Sequence, residues 1–579
     1  MTDDSGGKRI VIVGGVAGGA SCAARARRLS ESARIVMVEK GPYVSFANCG
    51  LPYHIGGEIA DRQKLILNSP ESLASRFGMD VRVRTEAIAV DPKAQTVRLR
   101  DLQTGEETDE PYDELVLSPG AAPLRPPIPG IDRPGHFTLR NVPDTDAINA
   151  WISGQNAKRA VVVGGGYIGL EMAEQLIHRG LAVTLIELAP QVMAPLDPEM
   201  AEHLHRALRK HGVDLRLSDG VQQFDEPAPG SDAAASVVVT KKGERFPADV
   251  VVMGLGVRPD IRWLGGANIA TGVTGGIAVD DFLRTSVPHI WAVGDAIEVH
   301  DPIFGEPAHI PLAGPANRQG RLVADNIFAE SQNDLIPYDG TYGTAILRLF
   351  EVAAGCTGLS EKRLLKMNVP HEIIRIHRPH HVTYYPGAEM MDIKALFHRE
   401  DGRLLGAQIV GGEGVDRRLD VFATALAADM TADDLAELEL TYAPPFGAAK
   451  DPVNIVGMAA QNALSGFVDP IDWVELAQRD PASYYLLDVR NPPERENGKV
   501  ILPRPGAESH NIPLDQLRAR LGELPRDRDI VVHCQSGQRS YYACRILEQN
   551  GFNCRNLSGS YLTWQMAKDV LERQEGKDQ

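Results

Sequence analysis

Two stretches of this chain share a pattern that few folds accommodate. "RAVVVGGGYIGLEMAEQL" reads as apolar strand, glycine turn and helix, and "AVTLIEL" then ends a second strand at Glu187. Gly164, Gly166 and Gly169 complete the G-x-G-x-x-G spacing. The same order occurs about 150 residues earlier, in "KRIVIVGGVAGGASCAARARRL" followed by "ARIVMVEK". There Gly14 and Gly19 hold the outer glycine positions, Val16 takes the middle one, and Glu39 ends the next strand 20 residues after Gly19. Glycines at such a turn let a pyrophosphate approach the helix N-terminus, and the acid accepts a ribose hydroxyl. Val16 weakens the first motif read by itself, although Gly18 leaves the adjacent backbone open. With the complete second copy, the expectation is two dinucleotide sites.

The length of 579 residues is too great for one core and suits three or four domains. Sixty basic against 77 acidic residues leave a net charge of −17. That balance argues against nucleic-acid binding and against a polybasic membrane anchor. The start, "MTDDSGGKRIVIVGG", is acidic and runs straight into a strand, unlike a signal peptide. No apolar run approaches the ~20 residues of a spanning helix, so a cytoplasmic protein is expected. The six cysteines show neither a disulfide framework nor zinc-type spacing, and no metal is expected. Cys22 and Cys356 read as core residues.

Between the two fingerprints, "ELVLSPGAAPLRPPIPG" is a strand that breaks at Gly120. Later, "TSVPHIWAVGDAIE" delivers Asp295, and "PLAGPANRQGRLVADNI" opens a helix behind prolines and glycine. With these segments residues 8 to about 460 resemble the flavin-dependent pyridine-nucleotide–disulfide oxidoreductases. The resemblance implies an α/β protein with two Rossmann-like dinucleotide-binding domains and an α+β dimerisation domain, followed here by a further α/β domain. It places FAD on residues 1–145 and 281–333, NAD(P)H on 146–280, and dimerisation on 334–460. By the same resemblance FAD falls to Gly14, Gly15, Val16, Ala17, Gly18, Gly19, Glu39, Lys40, Ser118, Pro119, Gly120, Arg140, Gly294, Asp295, Pro311, Leu312 and Ala313. Asp295 matches the acid that holds the flavin ribitol. The nicotinamide dinucleotide falls to Gly164, Gly166, Tyr167, Ile168, Gly169 and Glu187. Glu187 should bond a ribose 2′-hydroxyl and repel a 2′-phosphate, and no Arg or Lys follows it through "LAPQVMAPLDPE". NADH is favoured, with NADPH possible.

"YVSFANCGLPY" puts a single cysteine, Cys49, where dithiol members of this plan carry two, five positions apart. The fifth position here is His54. The segment resembles coenzyme A-disulfide reductases and single-cysteine NADH oxidases and peroxidases. "HHVTYYPGAEMMDIKALF" and "LTYAPPFGAAKDPVNIVGMAA" resemble the reductases alone. In that family tyrosines of the second subunit of a homodimer reach the active-site sulfur. Tyr442 matches one of them, and Tyr384 or Tyr385 the other. Ser21, Arg25, Arg28, Ser45 and Asn48 match coenzyme A-binding positions, and Arg25 and Arg28, three apart on a helix, share a face. With no internal mate, Cys49 needs an outside sulfur, as a mixed disulfide, or an oxygen, as a sulfenate. Once that bond is reduced, its thiolate attacks the next disulfide or persulfide and re-forms the mixed disulfide.

After "MAAQNALSGFVDP" a new pattern begins. "SYYLLDVRNPPERENGKV" is a strand ending in Asp488 and Arg490, followed by a polar loop. "DIVVHCQSGQRSYYACRIL" is a strand, a six-residue loop from Cys534 to Arg539, and a helix. Such a loop above a helix N-terminus forms an anion nest and favours a thiolate. Rhodaneses and cysteine phosphatases share the arrangement. The phosphatase loop has five residues between Cys and Arg, whereas this one has four, and "LLDVR…E" and "HNIPL" also resemble rhodanese. Residues 466–575 are expected to be a rhodanese domain with Cys534 as persulfide carrier, and Cys544 behind it as core. The expected activity is NADH-driven reduction of coenzyme A disulfide, coenzyme A persulfide or polysulfide. The alternatives are an oxidase or peroxidase working through a sulfenate, and a sulfur-delivery module without NADH turnover.

Overall fold

The computed structural model describes residues 7–228, 235–496, 498, 500 and 509–575. The acidic start at residues 1–6 and most of the polar loop beyond residue 496 lie outside them. The chain divides into two units, residues 1–189 with 211–343, and residues 190–210 with 344–579.

In the first unit, runs of Val, Ile and Leu build two parallel five-stranded sheets. One has the order Ile290–Ala292, Glu114–Leu117, Arg9–Val13, Arg34–Glu39, Asp80–Val83. The other runs Asp214–Arg216, Ala182–Ile186, Arg159–Val163, Val250–Met253, His136–Phe137. Their central strands are buried on both faces, which is why they read as continuous apolar runs instead of alternating ones. Each glycine turn leaves the carboxyl end of the central strand, where strand order reverses and ligands of open α/β sheets bind. Cys22 packs into the first core, and burial pushes its thiol up to about 12.

The second unit holds an antiparallel five-stranded sheet ordered Ala345–Leu349, Val352–Gly358, Leu404–Gly411, Met390–His398, His371–Pro379. Helices Val415–Ala427 and Pro452–Leu464 accompany it. Cys356 is buried in its second strand. A parallel five-stranded sheet follows, ordered Pro470–Ile471, Cys554–Leu557, Asp529–His533, Tyr484–Asp488, His510–Asn511. Its two faces carry separate cores, one around Trp473 and Trp564, the other around Leu487, Val532 and Cys544.

The helix Pro198–Lys210, which the sequence grouped with the second dinucleotide fold, lies in this second unit. Its acids explain why. Lys394, fully buried, contacts Asp197 at 2.9 Å and Glu199 at 2.7 Å, and Arg375 meets Glu199 at 2.9 Å. Farther along the same helix Glu202 and Arg206 pair with Arg573 and Asp569 respectively, reaching the C-terminal helix Ser560–Glu575. Burial alone would raise Glu199, but Lys394 and Arg375 hold it down at about 2. Removing one member would strand a buried charge, so the cluster specifies the packing of the C-terminal domain. Among the described residues no helix is long and apolar enough to cross a membrane.

Candidate active site

The two glycine turns are built alike. Gly14 has φ +103°, and a Cβ on it would lie 2.0 Å from the Ser118 carbonyl oxygen. A Cβ on Gly19 would meet the Gly14 oxygen at 1.8 Å. In the second turn Gly164 has φ +105°, with its Cβ position 2.3 Å from the Gly254 oxygen, and Gly169 repeats the close approach at 1.9 Å. The middle position needs no such freedom. Val16 sits at φ −108° and Gly166 at φ −79°, both outside the left-handed region, so neither needs glycine for its φ.

The acids that end the second strands are pinned beside these turns. Glu39 accepts the N–H groups of Gly15 (2.9 Å) and Gly41 (2.7 Å). Glu187 accepts those of Gly165 and Ala189, both at 2.6 Å. Ala17, Gly18, Tyr167 and Ile168 lie in the first turns of helices Ala17–Leu29 and Tyr167–His178. Lys40 is exposed and paired with Glu86 at 2.6 Å. Arg140 donates to the Pro119 carbonyl at 2.9 Å and meets Asp260 at 3.2 Å, which fixes the bend at Gly120 (φ +71°). Gly294 (φ +76°) presents Asp295, whose pKa is raised by burial despite His309 and Arg140. Pro311 and Leu312 lead into helix Ala313–Ile327, capped at Leu312. Two cradles that would reject a Cβ, each facing a helix N-terminus, fit two bound dinucleotides.

Cys49 lies exposed on the single 3₁₀ turn Asn48–Gly50. His54 is no sulfur partner, since its Nδ1 lies 2.6 Å from the Ile59 carbonyl oxygen. Burial of the sulfur's surroundings, then Glu171 and Asp295, raise the thiol's pKa, and a backbone hydrogen bond lowers it in part. Glu171, on helix Tyr167–His178, is itself lifted to about 7 by burial, against a hydrogen bond from Tyr53 at 3.3 Å and with the charge of Glu174 added. The Ser45 N–H donates to the Gly15 oxygen at 2.7 Å, which ties the thiol's segment to the first turn.

The coenzyme A candidates are partly engaged within the protein. The Ser21 hydroxyl donates to Asn317 at 2.5 Å, and Ser45 Oγ accepts from Asn68 at 3.1 Å. Arg25 is turned onto Asp325 at 2.6 Å, so its charge is compensated, while Arg28 and Asn48 remain exposed. The tyrosines separate clearly. Tyr384 and Tyr442 bring their hydroxyls to 3.2 Å of each other and are 73% and 48% exposed. Tyr385 turns its ring edge onto His381, with centroids 5.4 Å apart.

The second thiol sits in a different setting. Cys534 follows strand Asp529–His533 and is 1% exposed. Gly537 N–H donates to its sulfur at 3.1 Å and the Ser540 hydroxyl approaches at 3.5 Å. Ser560 accepts the Cys534 N–H at 3.1 Å and fixes the strand end. The loop is shorter than expected: Gly537 (φ +99°) caps a helix starting at Gln538, so Arg539 stands in that helix's first turn. There it forms a two-pronged pair with Glu494, at 2.5 and 2.7 Å. Beneath the loop the buried Arg490 clasps Asp488 at 2.8 Å. Cys544 is buried, and Cys554 with burial pushes its pKa well up, as suits a core thiol.

Sequence reasoning missed Glu171, Tyr53 and Glu494. Glu171 had a signal, since it lies two residues past the last fingerprint glycine, near the start of helix Tyr167–His178. Glu494 stands in the rhodanese-like "LLDVR…E" segment, but its pairing left no signal, because its partner is 45 residues away.

Residues 8–320 match the family of pyridine nucleotide-disulphide oxidoreductases, residues 345–452 the dimerisation domain of that family, and residues 471–567 the rhodanese-like domain. The chain belongs to the pyridine nucleotide-disulphide oxidoreductases and carries a C-terminal rhodanese-like domain. It is 34% identical over 455 residues to the coenzyme A disulfide reductase of Staphylococcus haemolyticus, covering 79% of this chain and all of the relative. The reduced CoADR-RHD of Bacillus anthracis superposes with TM-score 0.93 at 46% identity, over 99% of this chain and 100% of that one. The NAD-dependent persulfide reductase of A. fulgidus does so with TM-score 0.87 at 34% identity, over 96% and 100%.

Proposed function

We propose that this protein is an NADH-dependent flavoenzyme that reduces coenzyme A disulfide, coenzyme A persulfide or polysulfide through Cys49, coupled to a rhodanese domain that carries sulfane sulfur on Cys534. The observation that carries this reading is the exposed thiol of Cys49 with a histidine where dithiol enzymes place its mate. FAD would be held by the Gly14–Gly19 turn, Glu39 and Asp295, and when bound it supplies the route by which electrons of the nicotinamide reach sulfur. Glu187, an acid at the second turn with no cation following it, favours NADH over NADPH.

The protein's own groups then manage thiol and proton. Cys49 attacks a disulfide or persulfide sulfur and releases the other sulfur as a thiol. Tyr384 and Tyr442, whose hydroxyls face each other and stand open to solvent, are the groups to protonate the leaving sulfur. They act across a homodimer, consistent with the matched dimerisation domain. Ser21, Arg25, Arg28, Ser45 and Asn48 bind the coenzyme A moiety, with Arg28 supplying the uncompensated charge. Free thiols and net negative charge suit a cytoplasmic enzyme without nucleic-acid partners.

A steady-state panel tests this. NADH oxidation should be fastest with coenzyme A disulfide, coenzyme A persulfide or polysulfide, and slow with O₂ alone. Turnover sustained by O₂, with none of the sulfur substrates accelerating it, would replace this reading with an oxidase. Absence of NADH turnover with every substrate would leave a sulfur-delivery module.

A further inference from the structure

We propose that Glu494 sets the donor selectivity of the rhodanese domain, directing Cys534 toward persulfides of low charge and away from dianionic thiosulfate. This rests on the reading of Cys534 as a sulfane-sulfur carrier.

Among the described residues, the Arg539 guanidinium is a candidate anion receptor beside the Cys534 loop, and Glu494 from the helix Pro492–Glu496 occupies it with both carboxylate oxygens. The two side chains are 31% and 34% exposed, so the pair is not sunk in the core, and Arg539 lies near enough to Cys534 to feel its charge. The other arginines of this region among the described residues are also engaged. Arg490 is fully buried on Asp488, and Arg495 donates to the Ser509 carbonyl oxygen. Gln535, Ser536, Gly537 and Gln538, between the cysteine and Arg539, carry no charge.

The pair persists at neutral pH, because the hydrogen bonds from Arg539 hold the Glu494 carboxyl below its ordinary range. Among the described residues one N–H and one hydroxyl reach the sulfur, enough for a sulfide-sized anion. Thiosulfate would bring two negative charges, and release sulfite with two, beside an ionised glutamate and a thiolate. A persulfide brings one charge at most on its reacting sulfurs. In the step itself the Cys534 thiolate attacks the terminal sulfur of R–S–SH. A new S–S bond forms between Cys534 and that sulfur, and the S–S bond of the donor breaks. R–S⁻ leaves, and the terminal proton stays on the transferred sulfur, with no net oxidation.

The test uses the full-length protein. Sulfur transfer to cyanide is measured from thiosulfate and from an uncharged hydroxyalkyl persulfide generated in situ. Separately, alkylation of Cys534 by neutral iodoacetamide and anionic iodoacetate is followed by peptide mass. The wild type should favour the persulfide and iodoacetamide. Glu494→Gln should raise kcat/KM for thiosulfate roughly tenfold, the effect of one uncompensated cation a few ångströms from the donor, and shift the alkylation ratio toward iodoacetate. Glu494→Asp, which keeps the charge, should retain the wild-type ratio. The proposal is overturned by a wild type that takes thiosulfate as readily as the persulfide. A Glu494→Gln protein with unchanged donor preference and alkylation ratio overturns it equally. The comparison of alkylating agents on the wild type needs no variant to fold. Sulfur transfer that survives Cys534→Ser, or is absent from the wild type with both donors, overturns the carrier reading and this proposal with it.

Discussion

Cys49 and Cys534 are opposite solutions to holding a reactive sulfur. Cys49 is exposed on one turn of 3₁₀ helix, and its charged neighbours, Glu171 and Asp295, both disfavour a thiolate. Cys534 is buried under a loop with Gly537 and Ser540 aimed at its sulfur. One thiol is finished by its own domain. The other stands open to whatever binds around it, as the proposed role of Cys49 requires. On that reading a site completed by ligand and partner is open to control by both, whereas the preorganised one can act alone.

The sharpest way to break this contrast is to remove each sulfur. Cys49→Ser should lower NADH-linked disulfide reduction by more than ~10³-fold and leave rhodanese transfer intact, and Cys534→Ser should do the reverse. Loss of both activities in either folded variant would join the two sites into one obligatory relay.

The dependence of Cys49 on outside groups is tested next. Tyr442→Phe and Tyr384→Phe should each reduce kcat about 10²-fold, whereas Tyr385→Phe should cost little. Mixing Cys49→Ser chains with Tyr442→Phe chains should restore some activity, because a mixed dimer pairs one intact cysteine with an intact tyrosine from its neighbour. Mixed dimers as dead as either parent would confine the tyrosine to its own subunit.

Much of this was legible in the sequence for a steric reason. Gly14, Gly19, Gly164 and Gly169 are positions where a Cβ collides with backbone, so the residue type itself records the turn. Which of Tyr384 and Tyr385 faces Tyr442 was not legible, since adjacent residues differ only in which way the loop turns them. Nor was the placement of "LDPEMAEHLHRALRK", whose acids look like an ordinary solvated face. Their partners, the buried Lys394 and Arg375 and the half-buried Arg573, lie far along the chain. Pairing across such distances leaves no local pattern, and the Glu494–Arg539 pair escaped for the same reason.

A smaller effect separates the two thiols by pH. Glu171 is raised from its ordinary value of 4.5 to about 7, so the folded protein prefers its neutral form. Folding stability should therefore be unaffected by this group below pH 4.5 and fall as pH rises toward 7. Glu171→Gln should relieve about 1–3 kcal/mol above pH 7 and nothing in acid, read from urea unfolding across pH. The same variant should speed alkylation of Cys49 at neutral pH, by removing a negative charge beside it, and leave Cys534 unchanged. Equal rates at Cys49 with and without the carboxylate would show that burial alone governs that thiol.

The central claim is that Cys49, lacking an internal partner, rests as a mixed disulfide with coenzyme A. Intact mass of the oxidised protein under non-reducing conditions measures this directly. The account predicts a coenzyme A adduct that maps to Cys49, disappears with dithiothreitol and is missing from Cys49→Ser. An oxidised, active protein with a sulfenate at Cys49 and no adduct would contradict it.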